Sequence, residues 1–218
     1  MMRMKLNRAS FLKGALLAAW VVATLPAFAE PVTYEAKFGG KMLLNGTSTV
    51  HDWEVESKVI GGWMELDSSF PLDPAQANTD FKGSNTVAVN VPVRSLKSGK
   101  KLMDDIMHDA LRVKDHQTIR YRLEAISFAN AERKAGEPLE FNTKGELEVG
   151  GVKKPIEMVV KLEPMENDLV KAIGVTQVKM SDFGISPPAP AVGLGLIKTA
   201  DEVKISFEWL VAKKKAAK

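Results

Sequence analysis

From residue 30 to residue 212, apolar and polar side chains alternate with period two in nearly every segment. Such alternation describes strands with one face buried and one face wet. Val32, Tyr34, Ala36 and Phe38 mark a first predicted strand within residues 30–44. Asn45-Gly46 reads as a turn, with strands predicted over residues 51–59 and 61–66. Val87, Val89, Val91 and Val93 share one face of a strand over residues 85–93, and Pro92 falls near its end, where a missing donor is tolerated. Between them, residues 67–82 read as a polar, proline-containing loop. Further on, Ile119, Tyr121, Leu123 and Ala125 alternate with Arg120, Arg122 and Glu124. Residues 141–149 lead into Gly150-Gly151, a two-residue hairpin signal, and Ile156, Met158, Val160 and Leu162 mark the return strand. Residues 169–180 form a strand of less regular pattern, and Val203, Ile205, Phe207, Trp209 and Val211 mark the last.

Residues 102–111 break the rule. On a helical wheel Leu102, Met103, Ile106, Met107, Ala110 and Leu111 fill one half, and Asp104, Asp105, His108 and Asp109 fill the other. The predicted fold is therefore all-β with one short helix: a closed antiparallel β-barrel of about eight strands, lipocalin-like in the broad sense. Strands of about eight to ten residues favour a barrel over a sandwich, and closure removes exposed edges. A barrel of this size is either filled by side chains or holds one small ligand. Alternation does not decide between the two, so what the helix covers is the functional question.

The ends change the charge balance. Arg3, Lys5, Arg8 and Lys13 precede an apolar run over residues 14–25, and Ala27-Phe28-Ala29 has the small-x-small form of a cleavage site. Residues 1–29 are thus expected to be a cleaved signal peptide, residues 30–212 one barrel domain, and residues 213–218 a Lys-rich tail. Without the leader, 26 basic residues face 27 acidic ones. With its spare lysines in the tail, the domain offers no clustered basic groove for nucleic acid. The expected location is periplasmic or secreted. The absence of any cysteine excludes disulfides, leaving the core to supply stability.

Catalytic constellations are missing from the sequence. His51, His108 and His116 stand in no H-x-x-x-H or H-E-x-x-H spacing, so no metal site is predicted, and His108 and His116 read as surface polar residues. No G-x-S-x-G segment occurs, and Gly193-Leu194-Gly195 lacks the strand and helix that a phosphate loop needs. Phe38, Trp53, Tyr121, Met158, Phe207 and Trp209 place large side chains on the presumed inner faces. They suit either a packed core or an adaptable apolar pocket.

The order of motifs resembles the YceI-like family of exported β-barrel proteins that bind polyisoprenoid or other long-chain lipids. The segment from Gly46 to Val55 carries His51 and Trp53 in an H-x-W form, and Ser95-Leu96-Lys97-Ser98-Gly99 precedes the Met-rich helix. Thr118-Ile119-Arg120-Tyr121 matches the strand after it. The Gly145-to-Ile156 segment is similar to the family's hairpin with its Lys-Lys-Pro-hydrophobic step, and Met180-Ser181-Asp182-Phe183-Gly184-Ile185 to its S-D-F-G-I segment before a last strand beginning near Asp201. Departures are His116-Gln117 in place of a Tyr-Pro pair, the loop from Pro187 to Leu196, and the Lys-rich tail.

The resemblance implies a binding protein rather than an enzyme. It would need no cofactor and would carry a polyisoprenoid, another long-chain lipid or an isoprenoid quinone in an apolar cavity. Its wall would include Phe38, Trp53, Val89, Leu102, Met103, Ile106, Met107, Tyr121, Leu123, Met158, Phe183, Ile185, Phe207 and Trp209, with Ser48, His51 and Asp52 as polar contacts for a head group. A transient membrane contact and a homodimer are compatible with it. The rival readings are a partner-binding barrel with a filled core and, more remotely, a metal-dependent hydrolase using the three histidines.

Overall fold

The computed structural model describes residues 30–78, 81, 84–189 and 196–215. The expected leader, the Gly193-Leu194-Gly195 segment and the end of the Lys-rich tail lie outside these residues. In chain order the strands are β1 (Val32–Ala36), β2 (Lys41–Ser48), β3 (Trp53–Ser57), β4 (Gly61–Leu66) and β5 (Thr86–Pro92). Helix α1 (Lys101–Ala110) follows, and then β6 (Thr118–Phe128), β7 (Leu139–Val149), β8 (Val152–Met165), β9 (Leu169–Lys179) and β10 (Thr199–Lys213).

All pairings are antiparallel, in the order β1-β4-β5-β6-β7-β8-β9-β10, and β10 returns to β1 through Tyr34–Lys213, Glu35–Ala212 and Ala36–Val211. That closes an eight-stranded barrel. The 15-residue β10 is long enough to hold β1 with one end and the β2–β3 hairpin with the other. The hairpin carries the sheet beyond the closed ring, and its Glu56 pairs with Lys97 in the segment before α1.

Three sequence expectations are corrected. The first predicted strand is broken, because the chain leaves the wall at a turn over residues 37–40 between β1 and β2. Phe38 rides on that turn and is 94% exposed, so it belongs to neither core nor cavity. Asn45-Gly46 is no turn: Asn45 pairs with Glu54 and Gly46 with Trp53 inside the ladder. Gly46 is required there because the Trp53 ring lies across it, and a Cβ would sit 2.2 Å from Trp53 Cζ2. The real turn follows at residues 49–52, where the Ser48 hydroxyl donates to the His51 carbonyl (2.7 Å) and accepts from the amides of Val50 and His51. Third, the loop over residues 67–82 is more than a polar connection. It carries Phe70 and Phe81 against Phe128 and Phe141, with ring centroids 4.9–5.5 Å apart along the chain of contacts.

This aromatic group closes the barrel end opposite α1, since Phe141 starts β7 while Leu147 and Val149, at its other end, pack beneath the helix. Arg133 fastens the closure. It is 4% exposed and donates to the carbonyls of Pro74, Gln76, Lys134 and Glu137 and to Asn78 Oδ1. The guanidinium's planar fan of donors suits such a cluster of acceptors.

The hairpin at Gly150-Gly151 forms as expected, with φ of 55° and 82° at its two central residues. Beyond it β8 and β9 splay: their ladder runs only from Val160–Gly174 down to Met165–Leu169. Phe183 and Ile185 fill the gap against Leu147, Val149, Ile156 and Val178. The less regular pattern over residues 169–180 has its cause here, because the upper half of β9 faces this plug instead of β8.

Candidate functional site

Inward side chains of the strands, together with one face of α1, enclose a cavity of about 460 Å³. This size lies within the range of roughly 300–1,000 Å³ common to small-ligand sites. The wall rises from Phe70, Leu66 and Trp209 near the floor, through Met64, Val89, Met158 and Phe207, to Trp53, Tyr121 and Leu147. Helix α1 supplies Leu102, Met103, Ile106, Met107, Ala110 and Leu111, the apolar half of its wheel. Bulky inner side chains therefore do not meet across the barrel, as a filled core would require.

Of the fourteen apolar candidates, thirteen line this cavity. Leu102 does so at the rim, 56% exposed, and Phe38 is the exception described above. Ser48 and His51 line the mouth, while Asp52 lies outside the wall. Sequence reasoning missed Met42, Leu44, Ile119, Val160, Ile205 and, at the mouth, Lys100. The alternation marked most of these as inward-facing, but the emphasis on aromatic residues passed over them. Six methionines line the wall, namely Met42, Met64, Met103, Met107, Met158 and Met180. Their flexible thioethers let the wall adapt to an irregular apolar body. The buried Trp209 Nε1 has no hydrogen-bond partner among the described residues, and the buried Tyr121 hydroxyl lies beside Thr143. Surrounding protein covers both atoms, so neither faces the open space of the cavity.

The polar half of the helix is only partly a solvent face: Asp105 and Asp109 are exposed, but Asp104 and His108 are buried, which corrects the reading of His108. Asp104 and His108 are 7% and 6% exposed, packed on the segment before the helix. His108 Nε2 donates to the Leu96 carbonyl at 3.0 Å, a carbonyl being able only to accept. Asp104 Oδ1 accepts from the Ser98 amide (2.6 Å) and the Ser98 hydroxyl (2.7 Å), and Lys97 Nζ stands 3.8 Å from Oδ2. Burial pushes the Asp104 carboxyl up, but the two bonds from Ser98 and the charges of Lys97 and His108 outweigh it and hold it below the ordinary carboxylate value of 3.8. These bonds turn the apolar half inward. At the other end Arg112 donates to the carbonyls of Gly150 (3.0 Å) and Gly184 (2.7 Å), tying the helix to the β7–β8 hairpin and the splay plug.

A pH dependence follows. A depressed native pKa adds stability above the unfolded value that is lost as pH falls through the folded value. Asp104→Asn is expected to destabilise the protein by about 1–3 kcal/mol at pH 7. Urea titrations at decreasing pH should show the difference from wild type shrinking below about pH 4, as the wild-type carboxyl protonates. A pH-independent gap would contradict this role.

The remaining histidines are elsewhere. His51 lies in the β2–β3 turn, its Nδ1 donating to the Asp52 carbonyl at 2.8 Å. His116 packs on Gly151, where a Cβ would stand 2.4 Å from its ring. The structure thus does not bring the three together. Among the described residues no group of three His, Cys, Asp or Glu side chains is arranged to hold a metal ion.

Comparison with solved structures finds the same fold at low sequence identity. BcnA of Burkholderia cenocepacia is 18% identical with a TM-score of 0.58, over 80% of this chain and 99% of that one. A polyisoprenoid-binding domain from Saccharophagus degradans is 11% identical with a TM-score of 0.60, over 83% and 98%. The YCEI protein of Campylobacter jejuni is 16% identical with a TM-score of 0.52, over 74% and 85%. A comparison with curated proteins finds no match. The YceI-like domain pattern matches residues 30–210, nearly all of the barrel just described, and the chain belongs to the YceI-like family.

Proposed function

We propose that this protein binds a polyisoprenoid or similar long-chain lipid in its barrel cavity, acting as a carrier or store and not as an enzyme. One observation carries the reading: a 460 Å³ space whose wall is almost wholly apolar, floored by aromatic rings and opening beside α1. Water in such a space gains little, whereas burying about ten methylene groups recovers about 8 kcal/mol before the costs of association. The polyisoprenoid-binding neighbour on the same fold supports the same class of ligand. The basic, then apolar, then small-residue pattern of residues 1–29 supports export to the periplasm or beyond.

The protein should therefore carry lipid when purified. Extraction with apolar solvent and mass spectrometry are expected to recover a long-chain lipid in near-stoichiometric amount. Protein that is clean, and that also takes up no lipid when offered it, would refute the proposal.

A further inference from the structure

The exposed aliphatic side chains of this barrel are not spread evenly. Val50 (61% exposed), Leu196 (73%) and Leu102 (56%) belong to three segments that meet at one end of the cavity. Val50 lies in the β2–β3 turn beside Ser48 and His51, which line the mouth. Leu196 is held against that turn: its carbonyl accepts from the Thr49 hydroxyl (2.6 Å), and the Thr49 amide donates to the Lys198 carbonyl (3.0 Å). Leu102 reaches the same end because Glu56 pairs antiparallel with Lys97, which sends the chain back along β3 toward the turn and into α1. Leu102 itself and Ile197, next to Leu196, line the cavity, so the apolar rim continues into the apolar wall. Val50 and Leu196 do not line it, and their exposure serves neither core nor cavity. The charges on this rim are cationic in balance: Lys101 is paired with Asp105, and exposed Lys100 and Lys198 stand against exposed Asp52. Phe38 is more exposed still, but its turn is bonded to Leu210, toward the floor end of β10.

We propose that the mouth is a membrane-docking face: Val50, Leu102 and Leu196 enter the head-group region of an anionic phospholipid bilayer, and the lipid passes between bilayer and cavity without crossing water. This rests on the lipid reading and adds where the ligand is exchanged. Aliphatic side chains scattered singly on a surface need no explanation, whereas a group of them on the rim of an apolar cavity marks a contact face. Shallow apolar insertion and the attraction of lysines to anionic lipids reinforce each other.

The test uses the protein in its exported form, confirmed by mass to lack the leader and then delipidated. It is mixed with vesicles of phosphatidylethanolamine and phosphatidylglycerol that carry a fluorescent isoprenoid. Co-flotation with the vesicles and the rate of isoprenoid transfer to the protein are read together. Docked exchange gives a rate that rises with protein concentration, whereas exchange through water stays at the rate of escape from the vesicle. The double variant Val50→Asp, Leu196→Asp is expected to weaken flotation at least about tenfold and to slow transfer, because carboxylates replace the inserted side chains. Its loading with isoprenoid delivered from ethanol should match wild type, since neither residue lines the cavity. Phe38→Ser should change nothing. Absent flotation, a transfer rate independent of protein concentration, or equal behaviour of wild type and double variant would overturn the docking face. The lipid reading would still stand if ethanol-delivered isoprenoid binds. Lost flotation in Phe38→Ser would place the membrane contact on another side and overturn the inference too. Wild-type protein that takes up isoprenoid by neither route would overturn the lipid reading itself.

Discussion

Ile106→Asp is expected to abolish lipid retention, weakening it at least about a hundredfold, in a protein that still folds. Ile106 lies in the middle of α1 on the face that walls the cavity, between Met103 and Met107. A carboxylate there would point into apolar space without a cation beside it, and burying an isolated charge costs far more than one methylene contact returns. With the cavity empty it can be hydrated, so the cost falls on the bound state. The helix itself stays anchored through Asp104, His108 and Arg112, which Ile106 does not touch by hydrogen bond. Leu102→Asp should be milder, a loss of roughly severalfold, since Leu102 is already 56% exposed at the rim. Lipid content by mass spectrometry alongside thermal melts checks the pair. Unchanged lipid in a folded Ile106→Asp variant would return the helix to plain core packing.

Phe141→Ala should act on the opposite end and on stability. Phe141 is fully buried and touches Phe70, Phe81 and Phe128, the rings that close the floor. Truncation removes a large apolar side chain from the centre of that group and leaves a hole its neighbours cannot fill. Such losses are worth about 3–5 kcal/mol. Equilibrium urea unfolding measures the effect directly. A change below about 1 kcal/mol would mean that the floor is loosely packed and that the closure built around Arg133 is not what seals it.

Much of this was legible before the structure. The barrel follows from long runs with one apolar and one polar face, and the helix from a single stretch with period 3.6. The cavity-facing residues follow from the same arithmetic, because a strand that alternates correctly must put Met158, Phe207 and Trp209 inside. What was missed depends on contacts between distant segments. Asn45-Gly46 has the chemistry of a turn, but the Trp53 ring needs a glycine opposite it, so tertiary packing overrides the local signal. Phe70 and Phe81 sit in a stretch whose polar and proline content hides two anchors, and Arg133, far along the chain, holds that stretch in place. Asp104 and His108 occupy the polar half of an amphipathic wheel, which reads as solvent-facing; only the return of residues 96–98 over that side buries them. Lys100 carries no sequence signal as a wall residue, since its position depends on where the barrel opens.

The central claim is that the cavity holds lipid, and uptake by emptied protein tests it most directly. Delipidated protein would be mixed with a fluorescent isoprenoid, following energy transfer from tryptophan, with Trp53 and Trp209 both on the cavity wall. The expected result is saturable transfer at about one ligand per chain, lost in Ile106→Asp. No transfer to folded wild-type protein, or equal transfer to folded wild type and Ile106→Asp, would contradict the account.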